Sequence, residues 1–299
     1  KSAGDYHYIV YDAGNYDDGG ASAMAAIKKI IPNDETIDLL VLSHTDSDHT
    51  AATPAIVNSY FIDRVLRTGA KRFGRFPKTL QNARKAIARA VDEDGTLDLN
   101  LKEVEFLPGA TYRFGDARVT MVCGFGEVPE DFGAVGNGEK NNCTSIVIRI
   151  VFHGKSILLC GDAVGRHKTD PDPDALIATE RFMVENKDVI VIDSDIMVAP
   201  HHGANNGSST AFINAVSPKF VIFPAGSKHK HPTSSAAQRY LDNGVIVANM
   251  FRTDRGDRIR VGEWNHLSTV AGGDVKGDDD VDIVLHANGS APLMEYHQP

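Results

Sequence analysis

The stretch LLVLSHTDSDHT, residues 39–50, sets an apolar run directly against His44, Asp46, Asp48 and His49. Its apolar part, from Asp38 to Ser43, is short and bounded by polar residues, which predicts a buried strand. The alternate residues His44, Asp46 and Asp48 can converge from a loop that turns after the strand, and His49 adds a neutral nitrogen donor. Mixed carboxylate and imidazole ligands suit Zn, Mn or Fe. The competing reading is a helix start capped by Ser47 or Asp48, with the histidines as incidental polar residues.

Outward from this stretch, three more polar clusters follow apolar runs. ILLCGDAVG, residues 157–165, ends in Gly161 and Asp162, and a carboxylate at a strand end can bridge two ions. MVAPHHGANN, residues 197–206, places His201 and His202 before Gly203; one of the pair can ligate a metal while the other contacts substrate. SKHKHPTS, residues 227–234, brings His229 and His231 after a strand and a Pro–Ala–Gly turn. In layered α/β folds, sites assemble from separate loops at the carboxyl ends of strands. Four such clusters in succession point to one shared site.

The rest of the chain alternates strand and helix. Strands are expected at 6–11, 61–66, 119–122, 145–152, 156–160, 188–193, 195–199, 219–223 and 245–249. Helices are expected at 20–31, 50–58, 78–91, 174–186, 209–215 and 233–241, with a Gly- and Asn-rich loop at 124–142. This alternation is α/β, and the hairpin around His153–Lys155 excludes a purely parallel sheet. Residues 1–265 are taken as one domain. Residues 266–299, with the acidic run Asp278–Asp280, are taken as a C-terminal extension packed on it.

With 299 residues, 42% hydrophobic and 24% charged, the composition is that of an ordinary globular protein. No apolar run is long enough to span a membrane. Three widely spaced cysteines, Cys123, Cys143 and Cys160, read as small buried residues rather than a disulfide framework. They fit a cytoplasmic protein, one whose N-terminus has room for processing. The net charge of −9 argues against a general nucleic-acid binder, yet residues 64–89 carry nine cations and no acid, leaving −18 for the remainder. That segment is either a solvated face or a patch for a polyanionic substrate, with Arg72, Arg75, Arg84 and Lys85 as contacts.

HTDSDH, CGD and PHHG, in this order, resemble the metallo-β-lactamase superfamily, and within it the hydrolase domains of the ComEC competence proteins. Asp46 stands where the second His of the family pattern usually lies. NNCTS at 141–145, the His–Pro after a strand and the turn from Thr253 to Gly256 add to the likeness. The resemblance implies a four-layer αββα sandwich. It implies that Asp48, His49, Asp162 and His202 or His201 hold one ion, with His44 and Asp46 offering a second position. Asn142 is the nearest candidate for the family's missing third ligand and a substrate contact. One or two Zn ions, or Mn, are the implied cofactors.

A metal lowers the pKa of its bound water towards about 7 and makes hydroxide available near neutral pH. Asp48 or Asp162 can then accept the water proton. His231, whose backbone Pro232 restricts to extended conformations, can stabilise an oxyanion or protonate a leaving oxygen; His229 is its rival. The expected substrate is a phosphodiester, such as a nucleic acid or nucleotide. Hydrolysis of a lactone, thioester or β-lactam is the alternative, and an inactive metal-stabilised binding module a third. No membrane and no obligate protein partner is expected.

Overall fold

A computed structural model of the chain describes residues 6–14, 18, 20–74, 77–104, 107–226, 231–255 and 280–296. The chain forms two compact units, one of residues 1–107 with 123–147 and the other of residues 108–122 with 148–299.

The first unit is built on a parallel sheet in the order β1 (Ile9–Tyr11), β2 (Thr36–Leu42), β3 (Phe61–Arg67), β4 (Leu97–Asn100). Parallel neighbours need crossovers. These are α1 (Ala21–Ile30), then α2 (Ser47–Thr50) with α3 (Thr53–Ser59), then α4 (Lys78–Asp94). Right-handed crossovers between strands added in one direction put every helix on the same face. Accordingly Met24, Ile56, Val57, Ile87 and Ala90 from the helices share one core with Ile37, Leu40, Leu42, Ile62 and Val65 from the strands. On β2 the alternate residues Leu39 and Val41 are buried too, which is why this strand reads as a continuous apolar run. In α4, Leu80, Ala83, Ile87 and Ala90 are buried at helical spacing, and Gly95 ends the helix in the left-handed conformation. A short helix, α5 (Asn137–Asn142), completes the unit.

The second unit holds a seven-stranded mixed sheet. Its strands are β5 (Thr111–Phe114), β6 (Ala117–Cys123), β7 (Val147–Phe152), β8 (Lys155–Leu159), β9 (Ile196–Val198), β10 (Phe220–Phe223) and β11 (Met250–Arg252). The spatial order runs from β11 down to β5. Two antiparallel hairpins, β5–β6 and β7–β8, give way to parallel pairing from β8 to β11. The parallel part is crossed over by α6 (Ala178–Glu185), α7 (Thr210–Val216) and α8 (Ser234–Asp242). Ser209 and Thr233 cap α7 and α8 with their side-chain oxygens. Phe212, Ile213, Val221, Phe223 and Tyr240 are fully or almost fully buried in this unit. A further hairpin, β12 (Val281–Val284) with β13 (Leu293–Tyr296), is tied to β11 by Tyr296. The Tyr296 hydroxyl accepts the Arg252 N–H, and its ring lies 5.5 Å from that of Phe251.

The α/β alternation stands, with local corrections. Residues 188–193 form no strand: Val189 and Val191 are exposed while Ile190 and Ile192 are buried, so the alternation anchors a connection that has no ladder partner. The helix expected from 174 starts at Ala178, because Arg166 gathers the carbonyls of Asp170, Asp172 and Pro173 and holds that segment as a loop. The strand expected at 245–249 is a turn of 3-10 helix, Val247–Asn249, and pairing begins at Met250. The stretch 124–142, read as loop, contains α5. The helix expected at 50–58 is two, α2 and α3. The 265/266 boundary, Asp278 and Asp279 lie outside the described residues.

Candidate metal centre

Each unit gathers ligand-type side chains at the carboxyl edge of its parallel strands. In the first unit β2 ends at Leu42 and the chain turns through Ser43–Asp46 into α2. His44 and His49 are buried, their rings 4.2 Å apart, while half of the Asp48 side chain is exposed. His44 Nε2 lies 3.9 Å from Asp46 Oδ2, and His49 Nε2 lies 3.9 Å from Asp48 Oδ2.

The opposite nitrogens are tied down from behind by Asp12, at the end of β1. His49 Nδ1 is 2.7 Å from Asp12 Oδ2. Ser43 donates its N–H to Asp12 Oδ1 at 2.7 Å and its hydroxyl to Oδ2 at 2.9 Å. With its one proton so used, Ser43 Oγ can accept from His44 Nδ1, 3.0 Å away. Anchored through Nδ1, both imidazoles turn Nε2 towards the neighbouring carboxylates. This is the carboxylate–histidine support usual behind metal ligands. Asp12 is not among the candidate residues that the sequence picks out. The signal available was an acid directly after a short strand, with no spacing to link it to residue 49.

Arg72 donates to Asp46 Oδ1 at 2.6 Å. One member of the basic segment therefore faces a candidate ligand. Among the described residues, three more of the segment's cations are paired: Arg64 with Asp63, Arg67 with Asp98 and Arg89 with Glu93. Lys85 is exposed on α4. Arg84 donates to the Ala70 carbonyl and, with Thr45, Thr50, Arg67 and Thr68, lines a small cleft of about 20 Å³ beside His44. Asn142 is buried at the end of α5. Arg75 and His229 lie outside the described residues.

In the second unit β8 ends at Leu159, and Asp162 follows, buried. The Pro200–Gly203 turn is pinned to it by the His201 N–H, which donates to the Gly161 carbonyl at 2.9 Å. Asp162 faces both histidines: Oδ2 is 3.6 Å from His201 Nε2, and Oδ1 is 3.6 Å from His202 Nε2. His202 Nδ1 donates to the Pro224 carbonyl at 2.7 Å, again reserving Nε2. Thr253 in turn holds Ala225 through both its N–H and its carbonyl, so the Thr253 turn braces the backbone that orients His202. The His231 ring is 5.8 Å from that of His201.

These donor sets fit a metal. Separations of 3.6–3.9 Å exceed a hydrogen bond. They suit two ligands of one ion, since bonds of about 2.1 Å at a tetrahedral angle set ligand atoms about 3.4 Å apart. A domain model of the metallo-β-lactamase superfamily matches residues 4–226. The chain belongs to that superfamily. Its fold is therefore that of a family of metal-dependent hydrolases, and HTDSDH, CGD and PHHG occupy the strand ends where the family's motifs are expected. The chain is also similar to the competence protein ComA of Neisseria gonorrhoeae, at 25% identity over 228 residues. That match takes in 76% of this chain and 25% of ComA, so the chain spans about a quarter of its relative. Among solved structures it is similar to Zn(2+)-bound PqqB from Methylobacterium extorquens, with 10% identity, coverage of 82% and 80%, and a TM-score of 0.45. It is similar too to CmlA, a diiron β-hydroxylase from Streptomyces venezuelae, with 16% identity and a TM-score of 0.42 over 74% of this chain and 44% of CmlA.

The remaining sequence expectations concern thiols and membranes. Cys123, Cys143 and Cys160 are buried and form no disulfide, and burial pushes the Cys143 thiol up to about 12. Among the described residues no helix is long and apolar enough to cross a membrane.

Proposed function

We propose that this superfamily member is a metal-dependent phosphodiesterase. Its ion would be held by Asp48, His49, Asp162 and one of His201 and His202, with His44 and Asp46 forming a second, weaker position. The observation that carries this reading is the shared design of the two ligand groups: Nε2 atoms face carboxylates at non-bonding distance while the Nδ1 atoms are anchored from behind. The anchoring of His202 favours it as the ligand and leaves His201 to contact substrate. The weaker position follows from Arg72, whose charge on Asp46 opposes a further cation.

A divalent ion held there supplies a water of lowered pKa and a Lewis acid for the phosphoryl group. The chain supplies the proton chemistry. Asp48, half exposed, is placed to accept a proton, and His231, beside His201, to donate one to a leaving oxygen. A phosphodiester is favoured by the similarity to a competence protein and by Arg84, which lines the small cleft beside His44. The test is a panel of a generic phosphodiester, single- and double-stranded DNA and a lactone, each with Zn and with Mn. Metal-dependent turnover of the phosphodiesters is expected; turnover of the lactone alone would replace this substrate class with an ester one.

A further inference from the structure

The arm that carries His201 and His202 has a backbone that its own residues do not favour. His201, His202 and Ser208 have φ of 49°, 56° and 60°. L residues leave this region unless their surroundings hold them there. At the near end the hold is the bond from His201 to Gly161. At the far end a buried carboxylate takes both backbone N–H groups that follow Gly207. Glu180, fully buried on α6, accepts the Ser208 N–H at 2.6 Å through one oxygen and the Ser209 N–H at 2.8 Å through the other.

The same residue meets the loop that carries Asp162. Its backbone N–H donates to the Val164 carbonyl at 3.0 Å. Gly165 must lack a side chain, because a Cβ there would collide with Glu180 Oε2. The N–H groups of Gly165 and Arg166 both reach the Asn206 carbonyl. On the other side Arg239 of α8 donates to the carbonyls of Asn205, Gly207 and Ser208, and Ser208 Oγ meets the Tyr240 hydroxyl at 2.8 Å. Burial pushes the Glu180 carboxyl up to about 7, against the pull of the Ser208 and Ser209 groups and of Arg239. A carboxylate is costly in such a place. An amide has a single acceptor oxygen and would turn an N–H towards the second backbone N–H.

We propose that Glu180 is a positioning residue for the metal centre, its two oxygens clamping the His201–Ser209 arm to the Asp162 loop so that Asp162, His201 and His202 present their donors together. This rests on the metal reading above. Partners that orient metal ligands are worth about 10–100-fold in affinity. The test uses the full chain at pH 8, with Zn affinity by chelator competition and the Co(II) absorption spectrum as readouts. Glu180→Gln should bind Zn about 10–100-fold more weakly and show a shifted Co(II) spectrum while still melting cooperatively. Ile213→Ala, a core change in α7, should lower the melting temperature and leave affinity and spectrum as in the wild type. If Glu180→Gln fails to fold, Glu180→Asp, which keeps the charge on a shorter arm, is expected to show the loss. Wild-type affinity and spectrum in the folded Glu180 variant would overturn the proposal, as would an equal loss in Ile213→Ala. A wild-type chain that takes up neither Zn nor Co(II) would overturn the metal reading itself, and the proposal with it.

Discussion

Asp12 shows how much a single carboxylate does here. It orients His49 directly and His44 through Ser43, and it does so from a left-handed conformation with φ of 64°. Asn tolerates that conformation, so Asp12→Asn should fold. It should bind metal about 10–100-fold more weakly, measured by chelator competition; unchanged affinity would remove Asp12 from the account. Arg72 acts in the opposite sense. Arg72→Ala frees Asp46, and a calorimetric titration should then show a tighter second equivalent of metal, whereas an unchanged second equivalent would leave Arg72 without this role. Glu180 ties stability to pH. Its folded pKa, about 7, is raised above the ordinary 4.5 by burial. Between these values the folded chain holds a proton that the unfolded chain has released. This contribution is therefore complete below about pH 4.5 and lost as pH rises to about 7, at up to about 1.4 kcal/mol per unit. Wild-type stability measured relative to Glu180→Gln by denaturant melts should fall across that window and level off above it. A flat difference would mean that Glu180 titrates in its ordinary range.

At the scale of elements, the site is a property of strand ends. β1, β2 and β8 each finish in the residues that matter: Asp12, the HTDSDH loop and Asp162. These strands were legible because a strand buried on both faces, such as β2, is an uninterrupted apolar run with abrupt polar limits. The loops proposed to carry ligands stand out because His and Asp crowd directly after such a run. The pairing between distant segments was not legible. Nothing in the spacing of residues 12, 43 and 49 says that they share one hydrogen-bond group, and nothing marks Glu180 as the clamp of residues 208 and 209. β4 and α5 escaped notice because they are short and polar, held by neighbours more than by their own pattern. The basic segment's charge is plain in sequence but its pairing is not: Arg67 and Arg72 meet acids from distant segments, Arg89 one in the next turn and Arg64 its neighbour Asp63. The helix expected at 78–91 is α4, and its Ile87 sits in the core of the first unit at 2% exposure. Ile87→Ala should cost about 2–5 kcal/mol in denaturant unfolding. A loss below 1 kcal/mol would mean that α4 does not seal that core.

For the molecule as a whole, one ion has to be held by residues far apart in the sequence. The proposed ion needs Asp48, His49, Asp162 and one of His201 and His202 as its ligands together. A zinc site takes three or four protein ligands, so losing either His49 or Asp162 should disable the same ion. The decisive measurement is a zinc titration of His49→Ala, Asp162→Ala and the double variant, read as a double-mutant cycle. The account predicts that each single change removes the tight site and that the double variant is no worse than either single one. Independent losses that add in the double variant, or a tight site that survives Asp162→Ala, would contradict it.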